Sequence, residues 1–125
     1  MKGLVGYKKI ISSIEHLSII NSAQNAIKIS VTQNGIIDIN ELERELSNNA
    51  NNKILVSIML ANNVTGVIQP IKEIVQIAKK YNAIVHTDVA QGVGKIKVNF
   101  ENLGSDAITL SAHKFGGIKG CGALI

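Results

Sequence analysis

Lys114 is the residue of this chain with the clearest potential for covalent chemistry. It ends the run Ser111-Ala112-His113-Lys114, which follows the apolar segment 107–110 and precedes the glycine-rich segment 115–120. A lysine amine that loses its proton can attack an aldehyde and form a Schiff base. Because a lysine after a strand is more often a solvated charge, the interpretation depends on the residues around it.

Polar side chains also follow the other apolar runs, at positions where strands are predicted to end. They are His16, the pair Asn62-Asn63, Asp88 with Gln91, and Ser111 with His113. The carboxyl ends of parallel strands meet at one edge of a sheet, where binding loops are usually found. We therefore expect these side chains and Lys114 to line one site.

Each of these groups has a matching role on pyridoxal phosphate, a cofactor that enzymes hold through a lysine. Asp88 would keep the pyridine nitrogen protonated, so that the ring can accept electrons. Asn63 and Gln91 would hydrogen-bond the phenolic oxygen of the ring. Ser111 and His113 would bind the phosphate. The set therefore predicts a pyridoxal phosphate site.

Two histidines lie near this set, and their expected roles differ. His16 could stack on the cofactor ring or transfer protons, since imidazole titrates near neutral pH. His86 lies two residues before Asp88 and therefore on the same strand face. His86 could contact that carboxylate and hold it in place without touching the cofactor, or it could simply pack in the core, and the sequence leaves both interpretations open.

The site residues fall within four motifs, which are Ile14-Glu15-His16, Ala61-Asn62-Asn63-Val64-Thr65-Gly66, His86-Thr87-Asp88-Val89-Ala90-Gln91 and Ser111-Ala112-His113-Lys114. In this order and spacing they resemble the cysteine desulfurases, which belong to the class V aminotransferase group of fold type I pyridoxal phosphate enzymes. The resemblance covers nearly the whole chain. It implies that Lys114 forms the Schiff base, that His16 stacks and transfers protons, and that the other five residues contact the cofactor as above.

The resemblance also implies an activity and partners. Cysteine desulfurases remove sulfur from L-cysteine, leaving alanine and a persulfide for iron-sulfur clusters or thiolated tRNA. They work as dimers, so the expected partner is a second copy of this chain, or a complementary or full-length desulfurase chain. Residues 1–125 would form a partial pyridoxal phosphate-binding large domain.

The same resemblance predicts that this chain alone does not complete the reaction. Family members are longer, and their nucleophilic cysteine and the arginine that binds the substrate carboxylate lie in regions that this sequence lacks. Cys121 directly precedes the predicted last strand and is expected to be a small buried core residue, and Arg44 is expected on the solvent-exposed face of a helix. Two alternatives stay open: a non-catalytic fragment that binds a full-length desulfurase or a scaffold protein, and a piece of another class V enzyme, such as a selenocysteine lyase or an aminotransferase.

A sheet is needed to position these residues, and the hydrophobic pattern predicts one. Strands are predicted at 8–14, 26–32, 53–60, 83–87, 106–110 and 122–125. Helices are predicted at 17–25, at 71–81 and around 101–103. Pro70 is predicted to occupy the first position of the helix that continues over 71–81. Another helix is predicted to begin with Asn40 as its cap and Glu43 completing a capping box. The continuous apolar run at 53–60 is typical of a strand covered on both faces. The alternation predicts one α/β domain with a mostly parallel sheet and flanking helices.

Composition excludes several other classes. The 125 residues are 46% hydrophobic and 18% charged, without an apolar run of membrane-spanning length or a signal-peptide pattern. The net charge is +4, but the lysines are scattered and only 3% of residues are aromatic, so no nucleic-acid partner is expected. The single cysteine is typical of a reducing compartment and predicts a cytoplasmic location. No spacing of His, Cys or acidic residues predicts a metal site.

Overall fold

A computed structural model describes residues 4–125 of the chain. The strands are β1 (Tyr7–Ser12), β2 (Ile27–Ile29), β3 (Lys53–Met59), β4 (Ile84–Asp88), β5 (Ala107–Ser111) and β6 (Gly122–Leu124). The α-helices are α1 (Leu17–Ser22), α2 (Ile39–Asn48), α3 (Ile71–Lys80) and α4 (Phe100–Leu103). The strands form one sheet in the order β2-β1-β3-β4-β5-β6, parallel except for β6. The predicted α/β class with a mostly parallel sheet is confirmed.

The core lies between one face of the sheet and the helices α2 and α3. Ile54, Val56 and Ile58 alternate along β3 and are buried on this face, because successive strand residues point to opposite sides. Leu42 and Leu46 of α2 pack into the same cluster. The intervening residues of β3 are buried as well, which confirms that this strand is covered on both faces.

The beginning of α2 differs from the prediction. Asp38 is the N-cap, and its Oδ1 accepts a hydrogen bond from the backbone N–H of Glu41 at 3.0 Å. The capping box of Asn40 and Glu43 is therefore wrong, because the Asp38 carboxylate satisfies a free N–H of a first turn that begins two residues earlier. Glu43 instead forms an ion pair with Lys80 of α3 at 3.0 Å.

The ends of several other elements also differ from the hydrophobic pattern. Helix α1 ends at Ser22 rather than at Asn25, which has a φ of 61° and lies in the left-handed region where helices stop. Strand β2 covers only 27–29 of the predicted 26–32. Pro70 is the N-cap of α3 and not its first residue. Local periodicity located these elements but not their ends.

The last strand lies at an exposed edge of the sheet. Strand β6 pairs antiparallel to β5, and all of its residues are exposed. Cys121, which directly precedes β6, is exposed as well. The prediction that Cys121 is a buried core residue is wrong, because no further layer covers this edge within the described part of the chain.

The helices of residues 4–125 are short. Helices α2 and α3 have 10 residues each, whereas α1 has 6 and α4 has 4. None of these helices is long and apolar enough to cross a membrane.

Candidate functional site

A cavity of about 290 Å³ opens at the carboxyl edge of the sheet. Its lining includes all seven predicted site residues, which are His16, Asn63, Asp88, Gln91, Ser111, His113 and Lys114. Asp88 and Ser111 end β4 and β5, and the other five residues lie in the segments that follow β1, β3, β4 and β5. The structure therefore brings the predicted residues together, while the role of each stays a prediction.

Lys114 lies in a short 3-10 turn, residues 112–114, directly after β5, and its side chain is exposed. The loop beyond folds back on this turn, and the N–H of Gly117 donates to the carbonyl oxygen of Ala112 at 2.8 Å. A Cβ atom at Gly117 would lie only 2.7 Å from that of Ala112. Glycine is therefore needed for the close approach that shapes the lysine loop.

Asp88 is the last residue of β4 and is half-buried. Its Oδ1 accepts a hydrogen bond from the N–H of Ala90 at 2.9 Å, which fixes the carboxylate at the start of the turn that carries Gln91. The Oε1 of Gln91 in turn accepts a hydrogen bond from the Nζ of Lys95. The backbone thus orients one oxygen of Asp88, and the other is left for a donor in the cavity.

The turn after β4 touches the lysine loop at Gly94 and Phe115. A Cβ atom at Gly94 would lie 2.7 Å from the Cβ of Phe115, and the φ of Gly94 is +78°. Both the space and the left-handed backbone require glycine here. This contact sets the distance between the segments that carry Gln91 and Lys114.

Asn62 joins the loop after β1 to the loop after β3. Its Nδ2 donates to the carbonyl oxygen of Ile14 at 3.1 Å, and its Oδ1 accepts from the N–H groups of Val64 and Thr65 at 2.9 Å each. Asn62 is buried, whereas Asn63 is exposed and lines the cavity. The sequence placed both asparagines at the site but did not show that Asn62 holds the loop in place.

His16 is the N-cap of α1 and is exposed. Its Nδ1 accepts a hydrogen bond from the N–H of Ser18 at 3.2 Å and lies 2.8 Å from the Oγ of the same residue. A backbone amide can only donate, so in the neutral ring Nδ1 is unprotonated and Nε2 carries the proton. The neutral imidazole of His16 therefore donates through Nε2.

His86 is buried in the sheet behind the cavity. Its Nδ1 lies 2.8 Å from the Oγ of Ser57 on β3, and its Nε2 lies 3.1 Å from the Oγ1 of Thr109 on β5. Burial lowers the pKa of His86, against the opposing effect of the Asp88 charge. Because both ring nitrogens bond to hydroxyl groups, the geometry favours a core role over direct support of Asp88.

The sequence pattern does not single out one buried carboxyl group near the site. Glu15 is 5% exposed, and its Oε1 accepts from the N–H of Met59 at 2.9 Å. A glutamate after an apolar strand ordinarily predicts a surface residue. No local signal could have shown that the end of β3 covers it.

The lone cysteine and the lone arginine lie outside the lining of the cavity. Arg44 is exposed on α2, as predicted, with its guanidinium 3.7 Å from the carboxylates of both Glu41 and Glu45. Cys121 precedes the edge strand β6. Within residues 4–125, no group of three or more His, Cys, Asp or Glu side chains is arranged to hold a metal ion.

Comparison with known protein sequences reveals close relatives. The cysteine desulfurase IscS of Buchnera aphidicola is 42% identical over 122 residues, which cover 92% of this chain and 30% of that protein. The cysteine desulfurase IscS of Rickettsia prowazekii is 41% identical over 125 residues, which cover 94% of this chain and 30% of that protein. The chain thus spans about 30% of the length of these curated relatives.

Solved structures share the fold. A NifS-like protein from Rickettsia africae superposes with a TM-score of 0.85 at 45% identity, covering 94% of this chain and 34% of that chain. A second NifS-like protein superposes with a TM-score of 0.83 at 35% identity. The predicted fold class, part of the large domain of the fold type I enzymes, is confirmed. The family model for Aminotransferase class-V matches residues 5–125, and this chain therefore belongs to the class-V aminotransferase family.

Proposed function

We propose that this chain binds pyridoxal phosphate in the cavity at the carboxyl edge of its sheet, as part of an enzyme that removes sulfur from L-cysteine. The products would be alanine and a persulfide, whose sulfur serves iron-sulfur clusters or tRNA thiolation. The observation that carries this proposal is the convergence of seven predicted side chains, from four separate segments, on one cavity.

The donor set of the cavity fits the groups of pyridoxal phosphate. Lys114 supplies an exposed amine for the aldehyde, and Asp88 supplies a carboxylate for the pyridine nitrogen. Asn63 and Gln91 supply amides that can hydrogen-bond the ring oxygen. The volume, about 290 Å³, is near the lower end of the range of small-molecule pockets.

The remaining groups fit the phosphate and the ring face. Ser111 and His113 flank Lys114 in the sequence and offer a hydroxyl and an imidazole for the phosphate. His16 offers a flat ring and an Nε2 proton donor. These types of group are the ones that orient this cofactor in proteins.

The bound cofactor would act as an electron sink that weakens the bonds at the substrate α-carbon. The chain's own residues would control this chemistry. Asp88, whose Oδ1 accepts from the Ala90 N–H, would hold a proton on the ring nitrogen. Lys114 is on an exposed turn and can bind or release a carbonyl carbon. His16 can hold or pass a proton at Nε2.

Cofactor binding is tested by titrating the chain with pyridoxal phosphate and following the absorption band of its covalent adduct with lysine. We expect the band in the wild type and in Lys72→Ala, an exposed lysine of α3, and we expect its loss in Lys114→Ala. Circular dichroism establishes that each protein is folded. A folded wild type without the band would contradict the proposal.

Catalysis by the chain alone is a separate question. Neither Cys121 nor Arg44 lines the cavity, so the chain offers no thiol or guanidinium there for sulfur transfer or for the substrate carboxylate. We therefore expect alanine formation from L-cysteine to stay at background in the isolated chain. Robust turnover would contradict this part of the proposal.

A partner chain is supported by exposed apolar side chains around the last strand. Ile118, Leu124 and Ile125 are 77%, 71% and 58% exposed. We propose that a second copy of this chain, or a complementary or full-length desulfurase chain, covers them. Size-exclusion chromatography and co-purification test this, and a monomer that captures no desulfurase chain would contradict it.

A second candidate function is a non-catalytic interaction fragment, which the same exposed side chains favour. Partner binding that is unchanged in Lys114→Ala, in a chain that binds no cofactor, would support it. A cytoplasmic location stays a prediction.

A further inference from the structure

Glu15 carries a buried carboxyl group to which the proposed function gives no role. The residue is 5% exposed, and its Oε1 accepts one hydrogen bond, from the N–H of Met59 at 2.9 Å. Its Oε2 is buried without a hydrogen-bond partner among residues 4–125. A charged carboxylate with so few donors would be more costly at this position than the protonated acid.

The surroundings of Glu15 favour the uncharged form in two ways. Burial raises the pKa of Glu15 to about 8, and although the Met59 N–H acts against this, the negative charge of Asp88 acts with it. The titratable side chains at this edge of the sheet are His16 beside Glu15, His86 and Asp88 on β4, Lys95 in the turn after β4, and His113 and Lys114 after β5. Of these, Asp88 is the group whose charge acts on the Glu15 carboxyl.

The position of Glu15 links two of the segments that form the cavity. Glu15 precedes His16 in the loop after β1, and Met59 ends β3, where it pairs in register with Asp88 of β4. The hydrogen bond between Glu15 and Met59 therefore ties the His16 loop to the strand end beside Asp88. Both His16 and Asp88 line the cavity.

We infer that Glu15 is a positioning residue that acts as an uncharged acid: it fixes the His16 loop to the end of β3 and spares Asp88 a second negative charge. The inference rests on the proposed function, because Asp88 must stay ionised to keep a proton on a pyridine nitrogen. A second negative charge at Glu15 would disfavour the ionised form of Asp88 by like-charge repulsion. An uncharged Glu15 avoids this repulsion.

The uncharged state is tested on the protein without cofactor. Urea unfolding is measured from pH 5 to pH 8 for the wild type, Glu15→Gln and the exposed control Glu73→Gln. A proton held by folded but not by unfolded Glu15 makes the unfolding constant rise by up to about tenfold per pH unit as pH increases. We expect this rise of the unfolding constant with pH in the wild type and in Glu73→Gln, and we expect it to be lost in Glu15→Gln. If the unfolding constant of Glu15→Gln rose with pH as steeply as that of the wild type, the inference would be overturned.

The positioning role is tested by titration with pyridoxal phosphate. At pH 7 we expect a Kd within twofold of wild type for Glu15→Gln, whose amide oxygen can still accept from Met59, and one at least tenfold weaker for Glu15→Leu. Above pH 8 the affinity of the wild type should fall more steeply than that of Glu15→Gln. Equal high-pH losses in the two proteins would overturn the role, even if Glu15→Leu does not fold.

The two possible failures are distinguishable. A folded wild type that binds no pyridoxal phosphate would overturn the proposed function and, with it, the role of Glu15 at the cofactor. A wild type that binds, with Glu15→Leu folded and binding equally well, would overturn the role of Glu15 alone.

Discussion

The two walls of the cavity are held in different ways. In the wall formed after β1, β3 and β4, the buried side chains of Glu15 and Asn62 hydrogen-bond the backbone of neighbouring segments, and the half-buried Asp88 hydrogen-bonds the backbone of its own turn. In the wall after β5, His113 and Lys114 are exposed, and the strand behind them, β6, is exposed too. The side proposed to orient a cofactor ring is thus fixed by the fold, while the side with the reactive amine stays accessible.

The largest effect on stability is expected in the wall fixed by buried side chains, at the paired asparagines Asn62 and Asn63. Asn62→Ala should lower the free energy of unfolding by about 3 kcal/mol, because it leaves the N–H groups of Val64 and Thr65 and the carbonyl of Ile14 without their partner, at roughly 1 kcal/mol each. The exposed neighbour provides the control: Asn63→Ala should change it by less than about 0.5 kcal/mol. Urea unfolding measures both.

The asparagine pair also separates stability from binding. Asn63→Ala should weaken the binding of pyridoxal phosphate although it leaves the fold intact. Equal losses of unfolding free energy in Asn62→Ala and Asn63→Ala would contradict the assignment of stability to Asn62 and of cofactor binding to Asn63.

A smaller effect is expected where the walls meet. Gly94→Ala should lower the free energy of unfolding by about 2 kcal/mol, since the new Cβ meets Phe115 and the backbone is left-handed. Gly66 has a φ of +74° but open space around its Cβ position, so Gly66→Ala should cost only about 1 kcal/mol. The difference between the two variants measures the contact between the walls, and equal losses would argue against it.

The smallest effect concerns His86, beneath the fixed wall. Because burial lowers its pKa, unfolded His86 takes up a proton before the folded form does, so stability should fall as pH drops below the ordinary value of 6.5. The loss is at most about 1.4 kcal/mol per pH unit, and His86→Gln should remove it. Urea unfolding between pH 7 and pH 5 compares this variant with the wild type.

Glu15 and His86 should act in opposite directions on the pH dependence of stability. Glu15, with its pKa raised to about 8, favours folding below its ordinary value of 4.5 and loses that advantage as pH rises through 8. His86 favours folding at high pH. Only differences between variants and wild type therefore separate the two contributions.

The sequence predicted the parts of the site that depend on where strands end. Asp88 and Ser111 close apolar runs, so their place at the carboxyl edge follows from periodicity and parallel topology. The burial of Glu15 depends on a free N–H at the end of β3, which is a tertiary feature. The exposure of Cys121 depends likewise on what covers the last strand, which a local apolar run does not show.

The accessible wall carries the central claim, that Lys114 is the covalent anchor of a pyridoxal phosphate site. Reduction of the chain mixed with pyridoxal phosphate by borohydride, followed by peptide mapping, identifies the labelled lysine. The account predicts a stoichiometric label on Lys114, weakened in Asp88→Asn because the carboxylate for the ring nitrogen is gone. A label spread over the exposed lysines, with Lys114 no more modified than Lys72, would contradict it.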